Sequence, residues 1–351
     1  MLPSTAEALV VRVDGDKLPT LVKELVPVPT PGEHQVLVKV SHVAQNPTDI
    51  QSFERNAFGD GAILGCDFVG TVEQTGPNVS RISETMTIAG LVWGGEVKGL
   101  GGYSQYSLAD ERICFPVPEG ISLEQAATVP LATVTALLAL FSKECLNIET
   151  NARTKTTVLI WGGSSSVGLY AIQIAAMYGL DVVTTCSPRH HNIVRSLGAG
   201  HTFDYRGTQV VNKIKQAAPG LRYVFDTIGN ETSAGLASQA IDEAGGVLCT
   251  VRPSKTHTEK VTKQTKVTSV MMWTSFLKEH RYENCHWPVN QADHKLAVDF
   301  FAKLPQLLSD GTIKPNSTKV FKDGLDGVHE GFQEYRDGKI SNYKIVYKLN
   351  T

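Results

Sequence analysis

The segment WGGSSSVGLYAIQIA, residues 161 to 175, constrains this chain more than any other. It starts at the end of the apolar run TTVLIW and opens a stretch in which Val167, Ala171, Ile174, Ala175 and Tyr178 form the apolar face of a helix. Gly163, Ser165 and Gly168 keep the G-x-G-x-x-G spacing, with serine at the second glycine. A strand before it and a helix after it are the context in which this spacing acts as a dinucleotide fingerprint. Small residues let the backbone approach a pyrophosphate, and the free amides and positive dipole end of the helix attract it. The alternative is a plain glycine-rich turn from strand to helix. Because Ser165 carries a Cβ, the pyrophosphate is expected slightly farther out or held partly by serine hydroxyls.

The text around this segment repeats one alternation. Strand-like TTVLIW, DVVTTC, HTFDY, LRYVFDTIG and GGVLCTV are separated by helix-like VGLYAIQIAAMYG, RHHNIVRSLGAG, TQVVNKIKQAAP and NETSAGLASQAID. Such alternation predicts an α/β fold with a doubly wound parallel sheet covered on both faces. KVTSVMMW offers one more strand. Up to about residue 125 the chain reads instead as short strands and turns, such as HQVLVKVSHVA and LGCDFVGTVEQTG. FPVPEG and the capping-box spacing of Ser122 and Gln125 mark the boundary. After the α/β text, SFLKEHRYENCHWPVNQAD is polar and poorly periodic, HKLAVDFFAKLPQLLSDG reads as one helix from His294, and YKIVYKL as a final strand. The expected domains are residues 1–128, 129–290 and a return to the first domain over 291–351.

Lys and Arg number 33 against 35 Asp and Glu, scattered along the chain, so no basic stripe follows a nucleic acid or an anionic membrane. No secretory signal stands at the start, and ATVPLATVTALLALF is broken by Pro130 and shorter than the roughly 20 residues of a membrane helix. The expectation is a cytoplasmic protein with no membrane partner. The six cysteines hold no C-x-x-C unit and are expected as reduced, packed thiols.

The choice of dinucleotide rests on the end of the second strand, where an acid would take the ribose hydroxyls of NAD. Here TTCSPRHHN has none, and Ser187, Arg189 and His190, with Tyr205 and Arg206 after the third strand, offer donors and positive charge. These suit a 2′ phosphate and favour NADPH. A basic helix start facing solvent is the alternative.

NPTD at 46–49, LGCDFVGTV, GGYSQY, VPLATVTALLAL, the WGGSSSVG loop, TTCSP, LGAGHTFDYR, VFDTIG and the terminal YKIVYKL together carry a resemblance over nearly the whole chain. The chain resembles medium-chain dehydrogenase/reductases of the zinc-independent, quinone-reductase-like branch, and among them the fungal trans-acting enoyl reductases of polyketide biosynthesis. The resemblance implies a GroES-like, mostly β catalytic domain built from both chain ends beside a Rossmann domain that binds NADPH. It implies that Gly163, Ser164, Ser165, Ser166, Val167 and Gly168 hold the pyrophosphate, that Ser187, Arg189 and Tyr205 reach the adenosine phosphate, and that Lys344 lies near the cofactor. Thr133 would approach the nicotinamide ribose or the substrate, and Asn46 and Asp49 would occupy the first catalytic loop, followed by Gln51.

NPTD replaces the first zinc-ligand motif of the zinc alcohol dehydrogenases, GCDF stands where G-H-E would be, and the four-cysteine lobe is missing, so no catalytic zinc is expected. His280, Cys285, His286 and His294 are irregularly spaced and are expected as solvated side chains. The stretch IQSFERNAFGDGA holds no tyrosine, the proton donor of mitochondrial relatives, and Gln51 stands where several fungal relatives have lysine. Without a metal, the simplest chemistry is hydride addition to the β carbon of an activated alkene, with Thr133, Gln51 or backbone amides as donors to the enolate oxygen. Tyr103 is a candidate acid from its place in GGYSQY, with strand packing as the alternative. The glycine-rich loop 90–103 is expected to be mobile, and Trp93 within it is either a substrate wall or a packed anchor. The substrate is a small molecule or a carrier-bound acyl chain, the latter with a polyketide synthase as partner. A free-standing quinone, enal or aldehyde reductase and a non-catalytic NADPH-binding protein are the other two readings.

Overall fold

The computed structural model describes residues 2–15, 17–150, 155–282 and 285–349, without the side chain of Cys285. They form two compact units, one of Met1–Leu131, Phe276–Val289 and Val298–Thr351, the other of Ala132–Ser275 and Asn290–Ala297.

The second unit is built on a six-stranded sheet in the order His201–Phe203, Asp181–Thr185, Thr157–Trp161, Tyr223–Asp226, Gly246–Thr250, Thr265–Ser269. Every pairing is parallel. Val158, Leu159, Ile160, Val224 and Leu248 are fully buried, as expected for strands covered on both faces, whose residues are apolar in runs instead of alternately. Helices Ser166–Met177, His191–Ser196, Val210–Ala217 and Ser233–Ser238 connect successive strands. The strand order reverses between Thr157–Trp161 and Tyr223–Asp226, and ligands of such sheets bind at the strand ends there.

The first unit carries a seven-stranded sheet with Lys344–Lys348, Gln35–Ala44, Asp67–Thr75 and Thr87–Leu91 as successive neighbours. Ala44 pairs with Val346 on one side and with Asp67 on the other. That register brings both chain ends to the point where the strand Gln35–Ala44 gives way to Asn46. Val36, Val38, Val40, Val43, Phe68, Tyr103 and Tyr347 form its core, each large apolar side chain contributing about 1.5–3 kcal/mol.

Several elements differ from the sequence expectation. The polar stretch after Ser275 forms a hairpin of His280–Tyr282 with Cys285–Trp287, and residues 276–289 join the first unit instead of the nucleotide domain. The reason is packing: Tyr282 stacks on Trp93 at 5.8 Å, and Glu96 accepts hydrogen bonds from Lys278 at 2.5 Å and from His280 at 2.6 Å. The helix expected from His294 runs over Gln291–Phe301, and a separate helix Leu304–Ser309 carries Pro305, whose ring and missing N–H do not fit a helix interior. Helical residues Leu123–Phe141 are, by length and composition, long and apolar enough to cross a membrane despite Pro130, and 83% of their apolar window is buried within the protein. Loop 90–103, expected to be mobile, is packed at both ends, while Val97, Lys98 and Gly99 in its middle are exposed. A Cβ on Gly101 would sit 2.0 Å from the Ile63 carbonyl, the Gly102 amide bonds Gly65 at 2.7 Å, and Trp93 is a buried anchor between Phe58, His280 and Tyr282.

Candidate active site

In the second unit the loop after Trp161 is shaped by contacts that exclude larger residues. The Gly163 amide bonds the Thr185 carbonyl at 2.8 Å, and the Gly162 amide bonds the Thr185 hydroxyl at 3.1 Å. A Cβ on Gly163 would meet Thr184 Oγ1 at 2.0 Å, and one on Gly168 would meet the Gly162 carbonyl at 2.3 Å. Ser165 is the N-cap of the helix Ser166–Met177, its Oγ accepting from the Gly168 amide at 2.9 Å. Thr227, at the end of the neighbouring strand, lies 2.9 Å from the carbonyls of Trp161 and Gly162 and 2.8 Å from Ser165 Oγ. A hydroxyl has one proton to donate. With two carbonyls to serve, Thr227 gives its proton to them and accepts from Ser165, so the Ser165 hydroxyl is committed within the turn.

The amides of Ser164 and Val167 have no acceptor among the described residues. Unfilled amides at the start of a long helix, approached over glycines, fit the pyrophosphate of a dinucleotide. Sequence reading found the glycines and serines but passed over Thr227. Its signal was VFDTIG at the end of the strand across the switch point, where Asp226 pairs with Trp161.

Phe203 pairs with Thr185, so the turn Pro188–His190 and the residues Tyr205 and Arg206 leave the same edge of the sheet from neighbouring strands. Ser187 caps that turn by position, and Arg189 is exposed, its Nε donating to His190 at 3.1 Å. Burial, and then the neighbouring Arg189, hold His190 below its ordinary range. Tyr205 is 44% exposed with the Arg206 guanidinium over its ring at 5.5 Å, and Arg206 occupies both oxygens of Asp204 at 3.0 and 3.1 Å. Asp204, the acid that follows the strand His201–Phe203, is thereby paired.

In the first unit the sheet register gathers a buried polar cluster. Asp67 is fully buried and takes three donors from three segments: Lys344 Nζ at 2.6 Å, Asn46 Nδ2 at 3.0 Å and the Leu131 amide at 2.7 Å. Lys344 also donates to the Thr128 carbonyl at 3.4 Å, so this lysine, expected beside a cofactor, is engaged inside its own unit. Asn46 directs its remaining amide proton to the Ala44 carbonyl at 3.4 Å. With both protons spent, its side chain positions the loop.

Asp49, in the first turn of the helix Pro47–Glu54, accepts from the Asn46 amide at 2.7 Å, from the Cys66 thiol at 3.2 Å and from the Tyr103 hydroxyl at 3.3 Å. Burial pushes its carboxyl up to about 7, against the pull of those donors. Burial likewise pushes the Cys66 thiol and the Tyr103 phenol well up, so both remain protonated. Tyr103 is thus a fixed donor inside the core. Gln51 is half-buried and donates through Nε2 to the Tyr335 hydroxyl at 3.0 Å. Thr133 is buried near the start of the helix Pro130–Phe141, in the second unit.

The late histidines are held singly: His280 by Glu96, His286 by Glu279 at 3.0 Å and His294 by the Ser275 carbonyl at 2.7 Å. His280 and His294 are buried where solvated side chains were expected, because the rings of Trp93 and Phe276 lie against the first at 5.4 and 6.1 Å and the helix Gln291–Phe301 carries the second. The Cys285 side chain lies outside the described residues. Among the described residues no group of three or more His, Cys, Asp or Glu side chains is placed to hold a metal.

Residues 32–119 match the alcohol dehydrogenase GroES-like domain and residues 166–291 the zinc-binding dehydrogenase domain. A trans-enoyl reductase of Fusarium sp. (strain FN080326) is 32% identical over 90% of this chain and 91% of its own. One from Alternaria alternata is 30% identical over 99% of both. In fold, the chain is similar to the crystal structure of an alcohol dehydrogenase superfamily protein from Novosphingobium aromaticivorans, with a TM-score of 0.77 over 98% of this chain and 100% of the other at 24% identity. Nucleotide loop, GroES-like sheet and full-length relatives agree: the chain belongs to the medium-chain dehydrogenase/reductase family of oxidoreductases, with the fungal trans-enoyl reductases.

Proposed function

We propose that this protein is an NADPH-dependent reductase that delivers hydride to the β carbon of an α,β-unsaturated thioester or carbonyl, in trans to a cytoplasmic fungal polyketide synthase that carries the acyl chain. The observation that carries the reading is the loop at 162–168, whose Ser164 and Val167 amides lack acceptors among the described residues while its glycines keep the approach open. Bound there, the reduced nicotinamide supplies the hydride. The chain's own residues bind and orient: the loop amides take the pyrophosphate, and Arg189 and Tyr205 take the adenosine phosphate. Asp67 and Lys344 hold Asn46 and the loop it opens. Thr133 offers a donor to the enolate oxygen, which is where charge develops.

The test is a panel of an enoyl pantetheine thioester, a quinone, an enal and an aldehyde, followed by nicotinamide absorbance with NADPH and with NADH. Preferred turnover of the thioester with NADPH supports the reading. Turnover of quinone or enal alone makes the protein a free-standing reductase, and NADPH binding without turnover makes it a non-catalytic nucleotide-binding protein. Replacing Arg189 and Tyr205 together with alanine weakens NADPH about tenfold or more, roughly 1.4 kcal/mol, and leaves NADH unchanged. An equal loss with both cofactors removes the phosphate assignment.

A further inference from the structure

Hydride addition to an activated alkene leaves an enolate that must gain a proton at its α carbon. Near the Asn46 and Asp67 cluster most acidic donors are already spent: the Tyr103 phenol and Cys66 thiol on Asp49, Lys344 on Asp67, Tyr347 on Gln45, and Tyr343 on Glu334. One phenol differs. Tyr335 is half-buried, its oxygen accepts the Gln51 amide at 3.0 Å, and its own proton has no acceptor among the described residues.

Its place is fixed from several sides. The helix Val328–Arg336 meets the helix Pro47–Glu54 through Phe53 against Phe332 at 5.8 Å and Glu54 with Arg336 at 2.8 Å. Gln45, one residue before Asn46, donates to the Gly331 carbonyl at 3.1 Å. An amide donating to a phenol oxygen turns the phenolic proton away from itself and stabilises the phenolate that forms when the proton leaves. The face of Pro47–Glu54 that bears Gln51 also bears Thr48 and is open to solvent in part, whereas Asp49 and Ile50 are buried.

We infer that Tyr335 is the proton donor to the α carbon, with Gln51 as its positioning residue, an inference that rests on the reductase reading above. Hydride from reduced nicotinamide forms the C–H bond at the β carbon, and the alkene electron pair moves to the enolate. The enolate then takes the Tyr335 proton at the α carbon, giving a saturated thioester, oxidised nicotinamide and a phenolate that water reprotonates.

The test uses the full chain with trans-crotonyl pantetheine thioester and NADPH in deuterated water, reading kcat, the configuration of deuterium at the α carbon, NADPH affinity by fluorescence and the melting temperature. The expected result is a single α-deuterated configuration from the wild type. Tyr335→Phe is expected to lower kcat by about 10²-fold with mixed α-deuteration and unchanged NADPH affinity. Gln51→Ala, which leaves the phenol in place, should lower kcat by about tenfold with KM unchanged. It decides the matter if Tyr335→Phe melts early. Wild-type rate and a single configuration in both variants overturn the assignment while leaving the reductase reading standing; a wild type inactive on every unsaturated thioester and carbonyl overturns both.

Discussion

Asp67 shows how much one side chain can organise. Its carboxylate is 0% exposed beside a Lys344 side chain of 3%, so the pair is stable only while both members are present. Lys344→Met should cost about 3–5 kcal/mol in urea unfolding, and the double change with Asp67→Asn less than the sum of the singles, since it removes both charges. Asp49 gives a pH signature of opposite character. Its folded value of about 7 lies above the roughly 3.9 of an unstructured aspartate. Between those values the folded state keeps a proton that the unfolded state has lost, so stability from this group is greatest below about 4, falls as pH rises and levels above about 7. Wild type should therefore lose stability relative to Asp49→Asn from about pH 5 to about pH 7, by up to about 1.4 kcal/mol per pH unit, measured as urea midpoints at each pH.

The nucleotide turn joins one strand end, a neighbouring strand and a helix cap, and its predictions separate the parts. Ser165→Ala removes the cap and should cost about 1 kcal/mol. Gly168→Ala should cost more, about 1–3 kcal/mol by overpacking, because its Cβ would press on backbone at 2.3 Å, which cannot swing aside as a side chain does. Thr227→Val leaves two carbonyls without their donor and frees Ser165, so NADPH affinity measured by calorimetry should fall about tenfold. At this scale the strands and helices of the α/β text were legible, because buried parallel strands write themselves as apolar runs. The hairpin of His280–Tyr282 with Cys285–Trp287 was not, since three-residue strands are too short to show a period and its partners, Trp93 and Glu96, lie nearly two hundred residues away.

For the molecule as a whole, a ligand that binds only the folded state must raise its stability, by about 2.7 kcal/mol at a hundredfold excess over Kd. Saturating NADPH should raise the melting temperature in a thermal scan, and NADH at the same concentration should raise it less. Local text determined the order of elements, the glycine turn at Gly163 and Gly168 and the boundary near residue 130, because each depends on residues within a few turns of one another. Tertiary structure decided what those residues do. Ser165 reads as a cofactor contact and Asn46 as a catalytic-loop residue, and only the fold shows Thr227 and Asp67 on their polar atoms; Tyr335 gave no signal until the fold set it against Gln51. A hydrogen-bonding group is available or spent according to partners that folding brings from far along the chain, and linear spacing carries no record of them.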